Sequence, residues 1–119
     1  MQAQELRIGN YIKWIDNVVK VDLEIMKLVS ENPDWAKHIE ITDEILLGCG
    51  LKKDDYDDDI FLIELVDCNR FECYKNYEGN YFVANTPYHL FAKLNGVHEL
   101  QNAYYLATKE ELEINLETL

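Results

Sequence analysis

Basic side chains are scarce in this sequence. Lys and Arg total 11 against 23 Asp and Glu, so the net charge at pH 7 is −12. Affinity for nucleic-acid phosphates depends on a basic surface whose contacts release counterions. The charge balance therefore argues against direct binding to DNA or RNA and favours a basic protein partner, although acidity can also serve solubility alone.

Cysteine is also rare, and apolar runs are short. Cys49, Cys68 and Cys73 form an odd set without a CxxC spacing, which predicts reduced, buried thiols and no disulfide framework.

No apolar run approaches the length of a membrane span, and residues 1–5 lack the basic start and apolar core of a signal peptide. We therefore expect a cytoplasmic protein that does not contact a membrane.

A zinc-protease motif is interrupted near the C-terminus. His98 and Glu99 begin it as in HExxH, in which two imidazoles one helical turn apart bind zinc, but Asn102 stands where the second histidine belongs. Phosphate-binding glycine motifs are missing as well. We predict a protein that is not an enzyme and has no cofactor; a small enzyme with a polar pocket around His89, His98 or Cys49 is one alternative.

A calcium-binding loop is matched only in its first part. Asp55, Asp57 and Asp59 occupy the first three ligand positions of an EF-hand loop. Ile60 replaces the glycine that the sharp turn requires, and Val66 replaces the bidentate glutamate. The sequence therefore assigns no metal site.

The composition is sufficient for one folded domain. The chain has 119 residues, and 48% of them are apolar. A chain of this length buries roughly two thirds of the surface that it exposes when unfolded. Because no repeat or linker divides it, we predict a single α+β domain over residues 1–119.

Two helices are predicted, over about 97–107 and about 42–49. The shorter helix begins at Thr42, a favourable N-cap residue, and ends at Gly48 and Gly50. In the longer helix, we expect the polar tip of His98 to lie near solvent. Its apolar residues recur at steps of three and four and predict one buried face, formed by Val97, Leu100, Ala103, Tyr104, Leu106 and Ala107.

A hairpin is predicted at the N-terminus. Residues 11–15 and 18–25 are rich in β-branched and apolar side chains, and Asp16 and Asn17 between them are typical turn residues. Residues 26–29 are compatible with an extension of the second strand or with a third strand. The hairpin is also compatible with the start of an SH3-like barrel.

An antiparallel meander is predicted in the second half of the chain. The fold class is thus α+β, with a sheet of about five to seven short strands packed against the two helices. After residue 108, apolar and polar residues alternate, which favours a final strand over 112–116, while a capping box at 108–111 leaves a second helix open. The extended segments of the meander are 60–66, 71–75 and 81–84. After a break at Thr86 and Pro87, residues 88–94 are predicted as another strand that leads to the longer helix.

Residues 54–59 carry five aspartates in six positions. Such a run cannot pack in a core and predicts an exposed loop, in which Tyr56 is exposed as well. A tyrosine among carboxylates suits contact with a basic surface, because the ring packs on Arg or Lys stems while the carboxylates pair with their charges. A solvated loop without a binding role is the alternative.

Three segments resemble a known family. Residues 6–10 (LRIGN), 41–44 (ITDE) and 97–112, which begins VHELQNAYY and ends TKEEL, are similar to a family of small proteins of prophages and mobile elements in Bacteroidota. Members of that family carry a VHxLQNxYxxLT-like segment. The resemblance implies an accessory protein of a phage or integrated element, and it transfers no catalytic residue. The aspartate run and the strands after it have no counterpart in it.

Charge and resemblance together suggest an anti-defence inhibitor. Such a protein would occupy the basic surface of a host nucleic-acid-binding protein, for example an RNA-guided CRISPR nuclease. A structural or assembly module of the same element is the alternative from a different class, and the oligomeric state is left open. The predicted partner-binding residues are Asp54, Asp55, Tyr56, Asp57, Asp58, Asp59, Glu110, Glu111, Glu113 and Glu117.

Overall fold

The computed structural model describes residues 1–65, 69–86 and 89–119, and for residues 85, 86 and 89–91 the main chain alone. Short 3₁₀ helices lie at Ala3–Glu5, Pro33–Trp35 and Leu116–Thr118. In the described residues the helices are α1 (Leu23–Glu31), α2 (Asp43–Gly48) and α3 (Val97–Thr108), and the strands are β1 (Tyr11–Trp14), β2 (Asn17–Lys20), β3 (Ala36–Lys37), β4 (Lys52–Lys53), β5 (Ile60–Glu64), β6 (Arg70–Lys75), β7 (Tyr81–Thr86) and β8 (His89–Leu94).

The strands form two antiparallel sheets. One has the order β2-β1-β3, and the other is a five-stranded meander with the order β4-β5-β6-β7-β8. This arrangement confirms the predicted α+β class. The predicted strands match β5 to β8 closely. Two of their predicted end residues, Val66 and Tyr88, lie outside the described residues. Cys68, predicted as a buried thiol, also lies outside them.

The larger sheet packs one face against α2 and α3. Phe61 and Cys73 are neighbours across β5 and β6 and are fully buried. Phe71 meets Tyr104 of α3 edge to face, with ring centroids 5.2 Å apart. This core confirms the prediction that the sheet packs on the C-terminal helix. The free thiols of Cys49 and Cys73 are buried in the same core, as predicted for both.

The smaller sheet has its own core with α1. Ile12 of β1, Val21 and Val29 of α1 are almost completely buried together. Helix α1 occupies residues that the sequence pattern predicts as strand, so that prediction is wrong. The Asp22 side chain caps the helix by accepting the N–H of Ile25 at 2.8 Å, and Ile25, Met26 and Val29 then lie on the core side at helical spacing.

The N-terminal hairpin forms one residue earlier than predicted. Its turn residues are Ile15 and Asp16, with φ of 46° and 67°, while Asn17 pairs with Trp14 as the first residue of β2. Two positive φ values define a type I′ turn. The hairpin pairs with the two-residue β3 and is followed by α1, so it does not begin an SH3-like barrel.

The segment after α3 is neither the predicted strand nor a second α-helix. Lys109 ends α3 in the left-handed conformation, with φ of 63°, and the chain then runs without regular structure to the last 3₁₀ helix. Leu112 is buried and Ile114 half-buried against the larger core. The alternation in the sequence therefore reflects burial of one side, without a neighbouring strand to pair with.

None of the described helices is both long enough and apolar enough to cross a membrane.

Candidate functional site

The N-terminal segment lies across a polar face of α3. The side-chain carbonyl of Gln101 accepts the N–H of Tyr11 at 2.8 Å, and its amide donates to the carbonyl of Gly9 at 3.1 Å. Gln101 is almost fully buried. One glutamine thus satisfies two main-chain groups at the start of β1, as a neighbouring strand would do.

Asn102 completes the same contact. Its carbonyl oxygen accepts from the amide of Asn10 at 2.9 Å and from Arg7 Nε at 3.2 Å. Its own amide donates to the carbonyl of Glu5 at 3.2 Å. Asn102, which breaks the HExxH pattern, therefore fixes the N-terminal segment on the helix.

Arg7 links this contact to the chain after α3. Its guanidinium pairs with the Glu111 carboxylate through two hydrogen bonds and lies 4.3 Å from the centre of the Tyr105 ring. The hydrogen bond from Arg7 lowers the pKa of Glu111. Glu111, one of the predicted partner-binding residues, is thus paired within the chain, and its role in binding stays a prediction.

Two parts of the family resemblance thus contact each other. Residues 6–10 lie on α3, whose sequence carries the VHELQN segment. The predicted buried face of the helix is wrong in part. His98 and Gln101 are buried, whereas Leu106 is 74% exposed and Ala107 is exposed as well. The prediction that the tip of His98 lies near solvent is wrong, because the N-terminal segment covers it.

His98 is a buried polar residue of this region that forms no hydrogen bond with the described residues. Neither of its ring nitrogens has a hydrogen-bond partner among the residues that the structure describes, although the side chain is 1% exposed. Burial lowers its pKa, against the opposing effect of Glu99 and Glu5. Single ligand atoms of Glu5, His98 and Glu99 lie within 4.8 Å of one another, so these three residues could hold a metal ion.

The aspartate run forms a tight, exposed loop between β4 and β5. The N–H of Asp54 donates to the carbonyl of Ile60 at 2.9 Å, and the N–H of Asp59 donates to the Asp57 carboxylate at 2.9 Å. Tyr56 is 97% exposed. Exposure of this loop and of Tyr56 is confirmed; its role in binding stays a prediction.

The neighbouring turn adds a second exposed tyrosine. The N–H of Lys75 donates to the carbonyl of Asp59 at 2.8 Å, which places the turn between β6 and β7 beside the aspartate loop. Tyr77 in this turn is 95% exposed. We name this surface the tyrosine-carboxylate edge, and it consists of Asp54, Asp55, Tyr56, Asp57, Asp58, Asp59, Tyr77 and Glu78.

The carboxylates of this edge form no ion pair with the described residues. In the described ranges, no Lys, Arg or His lies within salt-bridge distance of any of them. Tyr77 and Glu78 are not among the predicted partner-binding residues, because the sequence of their turn indicates only a connection between two strands. Antiparallel pairing of β5 with β6 was the available signal, since it brings the residues before β5 next to those after β6.

Lys75, the last residue of β6, forms an ion pair with Asp43 next to the tyrosine-carboxylate edge. Asp43 of α2 accepts from Lys75 Nζ at 3.2 Å and from the Tyr81 hydroxyl. Partial burial would raise the pKa of Asp43, but these two hydrogen bonds lower it overall, while burial and the nearby carboxylate raise the pKa of Tyr81. The pair anchors the end of β6 and the start of β7 to α2, and so supports the turn that carries Tyr77.

The second predicted acidic group lies elsewhere. Glu110 borders an apolar groove of about 1060 Å³ between α3 and the sheet, which Ile63 and Leu65 line at the far end of β5 from the aspartate loop. Glu113 and Glu117 are exposed on the chain after α3. Among the described residues, no hydrogen bond or salt bridge joins this group to the tyrosine-carboxylate edge.

The chain matches no model of a known protein family, no curated protein and no solved structure among those compared with it.

Proposed function

We propose that this protein is a non-enzymatic binding protein that occupies a basic surface of a partner protein through its tyrosine-carboxylate edge. The observation that carries the proposal is that two almost fully exposed tyrosines, Tyr56 and Tyr77, lie at one end of a sheet with six carboxylates that form no salt bridge to any described residue. An exposed aromatic side chain bears a hydration cost that contact with a partner removes.

The chemistry of the edge fits a cationic partner. Tyrosine rings supply large apolar contact with little loss of conformational entropy, and they pack on the stems and charged groups of Arg and Lys. The surrounding carboxylates accept charge-assisted hydrogen bonds from the same residues. The net charge of −12 attracts such a partner over longer distances and speeds the encounter.

The favoured partner class is a protein that binds nucleic acid. Five carboxylates within six positions give a dense negative charge. A surface that binds nucleic-acid phosphates carries the basic side chains that such a run can contact. With the phage or mobile-element context implied by the resemblance, an RNA-guided CRISPR nuclease is the first partner to test.

The test is capture of partners from the lysate of a bacterium that carries the gene, followed by affinity measurements at rising salt. One variant changes the five aspartates of residues 54–59 to asparagine. A matched control changes five exposed carboxylates elsewhere to amides, at Glu24, Glu31, Asp34, Glu40 and Glu44. Each variant has a net charge of −12 + 5 = −7, so the pair separates location from total charge.

Support for the proposal requires four results together. The captured protein binds nucleic acid, nucleic acid competes for it, its affinity falls with salt, and the aspartate variant loses binding while the control variant retains most of it. Equal loss in both variants would show attraction by net charge alone. Unchanged binding by the aspartate variant would exclude the edge.

One observation favours the alternative of an assembly module. Ile15 and Trp35 are 55% and 53% exposed, and the N–H of Ile15 donates to the carbonyl of Trp35 at 3.2 Å. These two apolar side chains offer a small patch for a second copy of the chain. Light scattering at micromolar concentration tests it: self-association that Trp35→Ser abolishes and salt leaves unchanged favours this function over the first.

A further inference from the structure

The side chain of His98 is buried, but its ring nitrogens form no hydrogen bonds with the described residues. A buried imidazole normally has partners for its nitrogens, since an unpaired buried polar group costs about 1–3 kcal/mol. Here both nitrogens are without a partner among the described residues. The nearest carboxylate oxygen, Glu5 Oε1, lies 3.6 Å from His98 Nε2, which is too long for a hydrogen bond.

The separation of these two atoms matches two ligands of one metal ion. Zinc binds nitrogen and oxygen ligands at about 2.0–2.2 Å, so two ligands of a tetrahedral zinc ion lie roughly 3.4 Å apart. The observed 3.6 Å between His98 Nε2 and Glu5 Oε1 is close to this value. A Glu99 oxygen belongs to the same cluster, in which single ligand atoms of the three residues lie within 4.8 Å of one another.

The surrounding contacts hold Glu5 in position. Its second carboxylate oxygen accepts the N–H of Gln2 at 2.8 Å, which leaves Oε1 directed at His98. Its main-chain carbonyl is fixed by Asn102, one helical turn after His98. Hydrogen bonds of this kind orient metal ligands in known sites.

From this geometry we propose that Glu5, His98 and Glu99 form a binding site for a divalent transition-metal ion, with Zn²⁺ as the favoured occupant. An imidazole with two carboxylates suits Zn²⁺ better than Mg²⁺ or Ca²⁺, which take oxygen ligands. Glu5, His98 and Glu99 also line a groove of about 750 Å³ that opens to solvent and provides an entry path. The ion links the N-terminal 3₁₀ helix to α3.

The sequence assigned no metal because Asn102 interrupts HExxH. The structure explains how a site forms without the second histidine. Asn102 binds the main chain of the segment that contains Glu5, and that segment brings a carboxylate to the place beside His98. In place of the missing histidine, Glu5 near the start of the chain supplies the ligand.

The test is titration of the full chain with Zn²⁺ alone by calorimetry, with the imidazole resonances of His38, His89 and His98 followed by NMR. We expect one ion per chain, a selective shift of the His98 ring nitrogens and a higher Tm in the presence of Zn²⁺. Glu5→Gln and Glu99→Gln, which change exposed or half-exposed side chains, are each expected to weaken binding at least about tenfold.

Controls separate this site from other carboxylates. Glu110→Gln at the end of α3 should leave the affinity unchanged, and so should the five-aspartate variant. The proposal is overturned if millimolar Zn²⁺ leaves the His98 resonances unmoved, or if binding survives in Glu5→Gln and Glu99→Gln. Loss of Zn²⁺ binding in the five-aspartate variant alone would place the ion at the loop and would also overturn it.

Discussion

The side-chain carbonyl of Gln101 accepts the main-chain N–H of Tyr11 across a separation of 90 residues, at 2.8 Å. With its amide on the carbonyl of Gly9, this glutamine joins the start of β1, the central strand of the smaller sheet, to the helix that covers the larger one. The two halves of the chain are therefore connected by specific buried polar contacts as well as by apolar packing.

Replacing Gln101 by methionine should lower the free energy of unfolding by about 2–4 kcal/mol, because two buried main-chain groups lose their partner. The measurement is urea unfolding followed by circular dichroism. Leu106→Gln, on the exposed side of the same helix, is the control and should change stability little. A loss below about 0.5 kcal/mol in Gln101→Met would show that water replaces the glutamine without cost.

Much of the fold could be predicted from sequence because burial repeats with a regular period. Helix α3 and the strands from β5 to β8 follow such periods and were found close to their observed bounds. Helix α1 was missed because Val19, Val21, Leu23 and Ile25 also alternate as in a strand. The outcome depended on packing against β1, which local pattern does not record. Asp22, a favourable N-cap residue, was the sequence signal that could have indicated the helix.

The polar contacts at α3 could not be predicted in the same way. Gln101 and Asn102 pair with main-chain groups more than 90 residues away, and such pairing leaves no periodic signal. Likewise, the approach of Glu5 to His98 depends on how the N-terminal segment crosses the helix. The exposure of the aspartate run could be predicted because it follows from composition alone. The position of Tyr77 beside that run depends on the pairing of β5 with β6.

Asp43→Asn should destabilise the protein by about 1–2 kcal/mol near neutral pH, because the Tyr81 hydroxyl and the Lys75 ammonium lose a charged acceptor. The folded-state pKa of Asp43 lies below its ordinary value of 3.8, so the unfolded chain binds this proton first as the pH falls. The stabilisation is therefore present above that value and is lost as the pH falls through the folded pKa.

Unfolding by urea across the acid range measures this effect. The stability curve of Asp43→Asn should be flatter than that of the wild type below about pH 4. Glu44→Gln, the next residue of α2, serves as a control of equal charge change. If the free energy of unfolding fell equally with pH in the wild type and in Asp43→Asn, the result would contradict the proposed ion pair.

Ile15→Asn should stabilise the protein. A β-branched residue with φ of 46° is strained, whereas asparagine adopts this region readily and favours the first position of a type I′ turn. We expect a gain of about 0.5–1 kcal/mol, reduced by any contact that Ile15 makes with Trp35. Val18→Asn, in the adjacent strand of the same hairpin, should instead destabilise. A less stable Ile15→Asn would mean that side-chain contact outweighs the backbone strain.

The buried thiols should react slowly. Burial raises the pKa of Cys49 to about 11 and that of Cys73 to about 12, so little thiolate is present near pH 8. Mass spectrometry of the native protein after brief exposure to iodoacetamide, with peptide mapping of each cysteine, is the measurement. Rapid modification of either residue in the folded protein would show that the core opens to solvent.

The affinity of the captured partner for Tyr56→Ala/Tyr77→Ala tests the central claim most directly, because this variant keeps the net charge of −12. A double variant at Leu23 and Leu106, two exposed leucines elsewhere, is the matched control. If the tyrosine-carboxylate edge is the binding surface, loss of both rings weakens binding at least about tenfold while the leucine variant binds as the wild type does. Equal affinity of the tyrosine variant and the wild type would contradict the account.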